Sequence, residues 1–157
     1  MNVLKGITMS TFTQILYQMV FGSKDYNHFL SSENENTLYA YIAGVLKNKN
    51  CHSYIVGGCS NHIHIISHIH PTLAPAYVIK DIKKASHKMM NESNLFHRFS
   101  GWQVGYGLFT YHFSSKESLI RYVVNQNEHH RNISYKDELI SLFKEHSIEY
   151  IEEYLLT

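Results

Sequence analysis

The stretch from Asn61 to Pro71 restricts the fold more than any other part of the chain. Asn61-His62-Ile63-His64-Ile65-Ile66 alternates imidazoles with β-branched apolar residues, and a period of two belongs to a strand. Successive strand side chains leave opposite faces, so His62 and His64 share one face while Ile63 and Ile65 share the other. A sheet built on this strand has a hydrophobic core behind it and a nitrogen-rich surface in front. The same face runs on through Ile66, His68 and His70 if the strand stays regular. Pro71 ends it, because proline lacks the N–H that ladder pairing needs.

The neighbouring segments supply the rest of a sheet and its cover. Residues 12–22 mix β-branched and aromatic side chains up to Gly22 and predict a first strand. Leu38, Ile42, Val45 and Leu46 recur at helical spacing within Glu33–Lys49, with Ser31 or Ser32 as the cap. Residues 51–57 predict a second strand; Gly57-Gly58, a turn or bulge signal, leads directly into the His62 strand, and the two strands are expected to form a hairpin. Tyr77–Asn91 predicts a second helix, with Val78, Ile82, Ala85 and Met89 inward and Lys80, Lys83, Lys84, His87 and Lys88 outward. Trp102–Tyr111 reads as a fourth strand, with Gly105 and Gly107 marking a bend or the close approach of another backbone. Ser114 and Glu117, spaced as a capping box, open a third helix; Ser134 opens a fourth, with Leu139, Leu142 and Phe143 inward. The order β-α-β-β-α-β followed by helices is the split βαβ pattern. The expected fold is α+β and ferredoxin-like, an antiparallel sheet with added C-terminal helices.

No repeat, linker or low-complexity segment divides residues 1–157, so a single domain is expected. Cys51 and Cys59 form no CxxC pair and read as reduced, buried thiols of a cytoplasmic protein. No long apolar run predicts a membrane span, and Met1–Ser10 carry no recognisable processing signature. The formal charge is only +1, so any surface for a polyanion has to come from local clusters of Lys and Arg. The outward face of the second helix is the clearest such cluster.

Two imidazoles on one strand face form a ready bidentate metal site, although each could equally be a hydrogen-bonded surface histidine. His68 and His70 repeat the spacing. Ile63 and Ile65 back the first pair, whereas Ser67 and Pro71 mark the second as near the strand end. A histidine-triad hydrolase would need a third alternating histidine where Ile66 stands. A structural zinc site usually takes four Cys or His ligands, and the two cysteines lack that spacing. Tyr122 and Gln126 are four apart on the predicted third helix and share a face, at the edge of the stripe formed by Leu119, Ile120, Val123 and Val124. A phenol with an amide one turn later suits a nucleophile beside a metal ligand.

The run from Tyr122 to Arg131, followed by Tyr135 and Glu138, resembles the tyrosine-motif region of the HUH-type single-tyrosine transposases, the insertion-sequence and REP-associated kind. Trp102–Gly107, the His62/His64 pair and Val20–Lys24 match that family in the same order, so the resemblance spans nearly the whole chain. It implies cleavage and rejoining of single-stranded DNA at hairpin ends by a homodimer. The tyrosine hydroxyl would form a 5′-phosphotyrosine and free a 3′-OH. Carried across, Tyr122 is the nucleophile, and His62, His64 and Gln126 hold a divalent ion, Mg²⁺ or Mn²⁺. Lys24, Lys83, Lys84, His87, Lys88, Arg98 and Arg131 are the expected DNA contacts. Three positions depart from the family pattern: Asn61 for a common Asp, Tyr17 for a frequent His, and Ser67 for an apolar residue. The alternatives are a non-catalytic ferredoxin-like nucleic-acid binder and a phosphoesterase that uses water.

Overall fold

The structure is a computed structural model that describes residues 11–156; the N-terminal residues read above for a processing signal lie outside them. Four antiparallel strands, β1 (Leu16–Gly22), β2 (His52–Cys59), β3 (His62–His68) and β4 (Gly107–Tyr111), form a sheet in the order β2-β3-β1-β4. Helix α1 (Glu35–Asn48) links β1 to β2, and α2 (Pro75–Glu92) links β3 to β4. Helices α3 (Lys116–Val124), α4 (Gln126–His129) and α5 (Tyr135–Glu145) follow. This is the ferredoxin-like arrangement with C-terminal helices added.

The alternation along β3 sets both faces. Ile63 and Ile65 join Met19 and Phe21 under Leu38, Ile42 and Leu46 of α1 and Val78, Ile79 and Ile82 of α2. Burying each such side chain contributes about 1.5–3 kcal/mol, which makes this the principal core. On the other face Ile66 and Leu16 pack against Leu119 and Val123 of α3. Val20 and Phe109 meet Tyr135, Leu139 and Leu142 of α5. His62 and His64 lie between these two apolar patches, with β1 paired so that Val20 opposes His64 and Gly22 opposes His62.

Several boundaries differ from those read in the sequence. The first strand begins at Leu16 instead of residue 12, and Phe12 is exposed. The hairpin turns at Ser60-Asn61, and Gly57 and Gly58 belong to β2, where their missing side chains serve close packing. β3 stops at His68, so His70 is not on the strand. Only Gly107–Tyr111 of the proposed fourth strand pairs; Trp102 makes a single bridge to Ser23 and packs its partly buried ring against Phe21, Phe29 and Phe99. Asn34, not Ser31 or Ser32, flanks the start of α1. Ser114 and Glu117 form no capping box: residues 113–115 take a 3-10 turn whose cap is His112. Ser134 does cap α5, accepting the Asp137 amide proton. Among the described residues no helix is long and apolar enough to cross a membrane.

Candidate active site

His62 and His64 project from β3 toward α5, and both are fully buried. Tyr122 and Gln126 do not share one continuous helix. α3 ends at Val124, Asn125 leaves helical geometry, and Gln126 begins the single turn of α4. The break turns Gln126 inward, where it is fully buried with Oε1 3.2 Å from His62 Nε2. Tyr122 stays half-buried, its ring edge-on to His64 at 5.6 Å. The four sequence-predicted centre residues therefore converge within one chain.

A fifth residue sits in their midst. Glu138, on α5, is 2% exposed, and its Oε1 lies 2.9 Å from His64 Nε2 and 3.2 Å from His62 Nε2. Its Oε2 accepts hydrogen bonds from the Tyr122 hydroxyl and, at 3.0 Å, from Gln126 Nε2. His129 and His130 approach the same oxygen at 3.3 and 3.2 Å. A signal for Glu138 is present in the sequence. Tyr135, Glu138, Leu139 and Leu142 are all buried and fall at i, i+3, i+4 and i+7, so a carboxylate stands inside the apolar stripe of α5. Buried glutamates are rare unless paired, which makes that position conspicuous.

Electrostatics follow from burial and from this carboxylate. Burial pushes His62 down to about 4, against the pull of Glu138, so its imidazole is neutral at physiological pH. Burial would raise Glu138, but the imidazoles of His130, His62 and His64 gathered around it hold it well below the usual carboxylate range. Burial would lower His130, yet the Glu138 carboxylate, 3.2 Å from its Nε2, and the Ile133 carbonyl that accepts from its Nδ1 raise it. Burial first, then the Glu138 charge, pushes the Tyr122 phenol above its ordinary value. The ring orientations are fixed from behind. Asn61 Oδ1 accepts from His62 Nδ1 at 2.8 Å, so the amide supplies the acceptor that an aspartate would. Gln18 contacts His64 Nδ1 at 2.9 Å, and Tyr135 stacks on the His62 ring.

A cleft of about 550 Å³ between α3 and α5 reaches Tyr122 and Glu138 from outside, past Tyr111, His129 and Asn132. Its other titratable walls are Asp137 and Glu145, so the entrance repels a phosphate unless a cation offsets it.

The predicted DNA contacts divide. Lys83, Lys84, His87 and Lys88 border one groove of about 780 Å³ between α2 and the 101–106 loop, with Trp102 and Tyr106. Lys83, read from the sequence as an outward cation, instead turns inward. Its ammonium donates to the carbonyls of Gln103 at 2.9 Å and Gly105 at 2.6 Å and lies 5.0 Å from the Phe21 ring centre. Burial lowers it to about 8, and it remains mostly protonated at neutral pH. Lys84 and Lys88 are exposed, and Lys88 pairs with Glu92. Lys24 is exposed at the end of β1. Arg98 borders a separate hollow with His28 and His97, and Arg131 is engaged by Glu128 at 3.0 Å.

The IS200-like transposase family model matches residues 11–126. Two solved structures share the fold. One is a candidate transposase from Deinococcus radiodurans, 14% identical over 77% of this chain and 97% of that one, with a TM-score of 0.58. The other is a REP-associated tyrosine transposase bound to a REP hairpin, 12% identical over 78% of this chain and 74% of that one, with a TM-score of 0.57. No curated protein sequence matches. At those identities the two structures speak for the fold alone, whereas the family match spans β1 to the start of α4 and includes His62, His64, Tyr122 and Gln126: the chain belongs to the IS200-like transposase family.

Proposed function

We propose that this transposase cleaves and rejoins single-stranded DNA at hairpin ends through Tyr122. The observation that carries the reading is the convergence of a phenol, two imidazoles and a carboxamide within one chain: His64 Nε2, His62 Nε2 and Gln126 Oε1 gather beside the Tyr122 ring. In the reaction Tyr122 Oη attacks the phosphorus, the P–O3′ bond breaks, and the products are a 5′-phosphotyrosine and a free 3′-OH. Attack by that 3′-OH reverses the step and rejoins a strand, with the phosphodiester energy kept in the covalent bond.

The donor set fits a divalent ion. His62 is kept neutral by burial, and the Gln126 amide is oriented by its own N–H bond to Glu138, which leaves Oε1 facing the imidazole. Mg²⁺ or Mn²⁺ held by His62, His64 and Gln126 would supply Lewis acidity to a non-bridging phosphate oxygen. The chain's own residues do the rest. α3 seats Val123 against the sheet and so fixes the distance of Tyr122 from His64. Tyr135 and Asn61 hold the His62 ring in one orientation. Lys84, His87 and Lys88, with Trp102 and Tyr106 in the same groove, offer phosphate contacts and stacking surfaces to a hairpin. A homodimer is part of the reading, but no partner residue is needed to assemble this cluster.

The test is a labelled hairpin with a single-stranded flank, incubated with the protein and Mn²⁺ and then denatured. The wild type should carry covalently attached DNA, and Tyr122→Phe should lose the adduct while keeping DNA affinity. Cleavage retained by Tyr122→Phe would indicate a water nucleophile, and binding without cleavage by the wild type would indicate a non-catalytic binder.

A further inference from the structure

We propose that Glu138 is a fourth protein ligand of the divalent ion, binding it through Oε1 while Oε2 holds the Tyr122 hydroxyl beside it. The inference rests on the metal centre proposed above and adds to it a residue of α5. That helix lies beyond residue 126, where the family match ends.

Ion-to-donor bonds of about 2.1 Å place neighbouring donors about 3.0 Å apart in an octahedron and about 3.4 Å apart in a tetrahedron. Glu138 Oε1 lies 2.9 Å from His64 Nε2 and 3.2 Å from His62 Nε2, and Gln126 Oε1 lies 3.2 Å from His62 Nε2. These three separations match edges of such a polyhedron, with the carboxylate oxygen at one of its corners.

The Asn61 carbonyl oxygen can only accept, so His62 carries its proton on Nδ1 and presents a lone pair at Nε2. That lone pair faces two oxygens, Glu138 Oε1 and Gln126 Oε1, with no proton between them. Three electron-rich atoms buried against one another repel, and a cation among them reverses the sign of the interaction. His64 can join. The Gln18 amide spans His64 Nδ1 at 2.9 Å and the Tyr111 hydroxyl at 2.7 Å. Reversing that amide keeps both contacts, with the Tyr111 hydroxyl turning from donor to acceptor, and frees His64 Nε2 as a ligand.

Among the described residues Glu138 contacts imidazoles, an amide and a phenol, and no lysine or arginine pairs with it. Two neutral imidazoles and an amide bring no negative charge to a dication. Glu138 adds one, on a hard oxygen, and so moves the set toward Mg²⁺ and Mn²⁺. Its second oxygen keeps the nucleophile on the ion's side of the cleft, which makes it a positioning group for Tyr122.

The test is calorimetric titration of the full chain with Mn²⁺ alone, alongside the Mn²⁺-dependent rise in melting temperature. Glu138→Gln preserves shape and should weaken Mn²⁺ binding about tenfold or more and shrink the rise, with Gln126→Ala doing less. Glu138→Gln binding Mn²⁺ as tightly as the wild type, or more tightly, while His64→Ala loses it, would overturn Glu138 as a ligand and leave the metal centre standing. A wild type that takes up no Mn²⁺ would overturn both. Circular dichroism without metal checks the fold. Should the glutamine variant not fold, Glu138→Asp, which keeps the charge and withdraws the carboxylate by one methylene, is read against the same outcomes.

Discussion

Tyr135 lies flat on His62, ring centres 4.1 Å apart and planes 13° apart. The stack joins the first residue of α5 to the first residue of β3, and the Tyr135 hydroxyl reaches Gln103 Oε1, which also accepts the Gly22 amide proton. One side chain thus ties the C-terminal helix, the 101–106 loop and a candidate ligand together. Tyr135→Phe should cost about 0.5–1.5 kcal/mol, because only the hydroxyl contact goes. Tyr135→Ala should cost about 3–5 kcal/mol and also weaken Mn²⁺ binding, since His62 loses its backing. Urea melts of both variants check the ordering; equal losses would show that the stack contributes nothing beyond the hydroxyl.

Gly57 sets how close α3 comes to the sheet. A Cβ there would lie 2.8 Å from Val123 Cγ1 and 3.5 Å from the Val123 carbonyl oxygen, and Gly57 pairs with His64 across the ladder. Valine has few rotamers in a helix, so relief must come from moving α3. Gly57→Ala should destabilise by about 1–3 kcal/mol and lower the yield of covalent DNA adduct, because Tyr122 is one residue from Val123. Gly44→Ala, where a Cβ would meet nothing within 4 Å, is the control and should leave the adduct unchanged.

Much of this was legible because periodicity reports burial. The β3 alternation placed His62 and His64 opposite Ile63 and Ile65, and the element order implied the ferredoxin-like sheet. The failures came where tertiary contact overrides local pattern. Gly57-Gly58 has turn composition, yet the glycines serve close approaches, to Val123 and to the His62 carbonyl. Trp102–Tyr106 has strand composition, yet its backbone carbonyls serve the Lys83 ammonium. Glu138 stands out in the sequence as a carboxylate within the apolar stripe of α5 and as part of a family motif, but neither says what it faces. Its place emerges when a long-range contact brings α5 over β3, 74 residues from His64.

The lysines of α2 should separate by function. Lys83 is held by backbone carbonyls, so Lys83→Met should lower stability by about 1–2 kcal/mol through loss of charge-assisted hydrogen bonds. Lys84 and Lys88 are exposed on the same groove, so Lys84→Ala with Lys88→Ala should leave the melting temperature nearly unchanged. The pair should instead weaken hairpin binding and reduce its salt slope by about one unit for each phosphate no longer neutralised. Binding isotherms across a salt series give the answer, and an unchanged slope would remove this groove as the phosphate surface.

The metal-free protein should show a two-sided pH profile, with its limbs assigned to different histidines. His62 is depressed to about 4 by burial, from an ordinary value of 6.5. Between those values the unfolded chain binds more protons than the folded one, so stability rises with pH and is lost as pH falls from 6.5 toward 4. Glu138, held low by its imidazole partners, acts in the same direction: its stabilisation is present above the ordinary carboxylate range and lost on acidification. His130 has the opposite sign. Its raised value contributes stability that is complete below 6.5 and lost as pH climbs through the folded value. The urea midpoint, followed from about pH 4 to about pH 9 in chelator, should therefore peak between the two limbs. His130→Asn should flatten the alkaline limb and spare the acid one; an alkaline limb that persists in that variant would assign it to other groups. Saturating Mn²⁺ should steepen the acid limb, because protons then compete with the ion for His62.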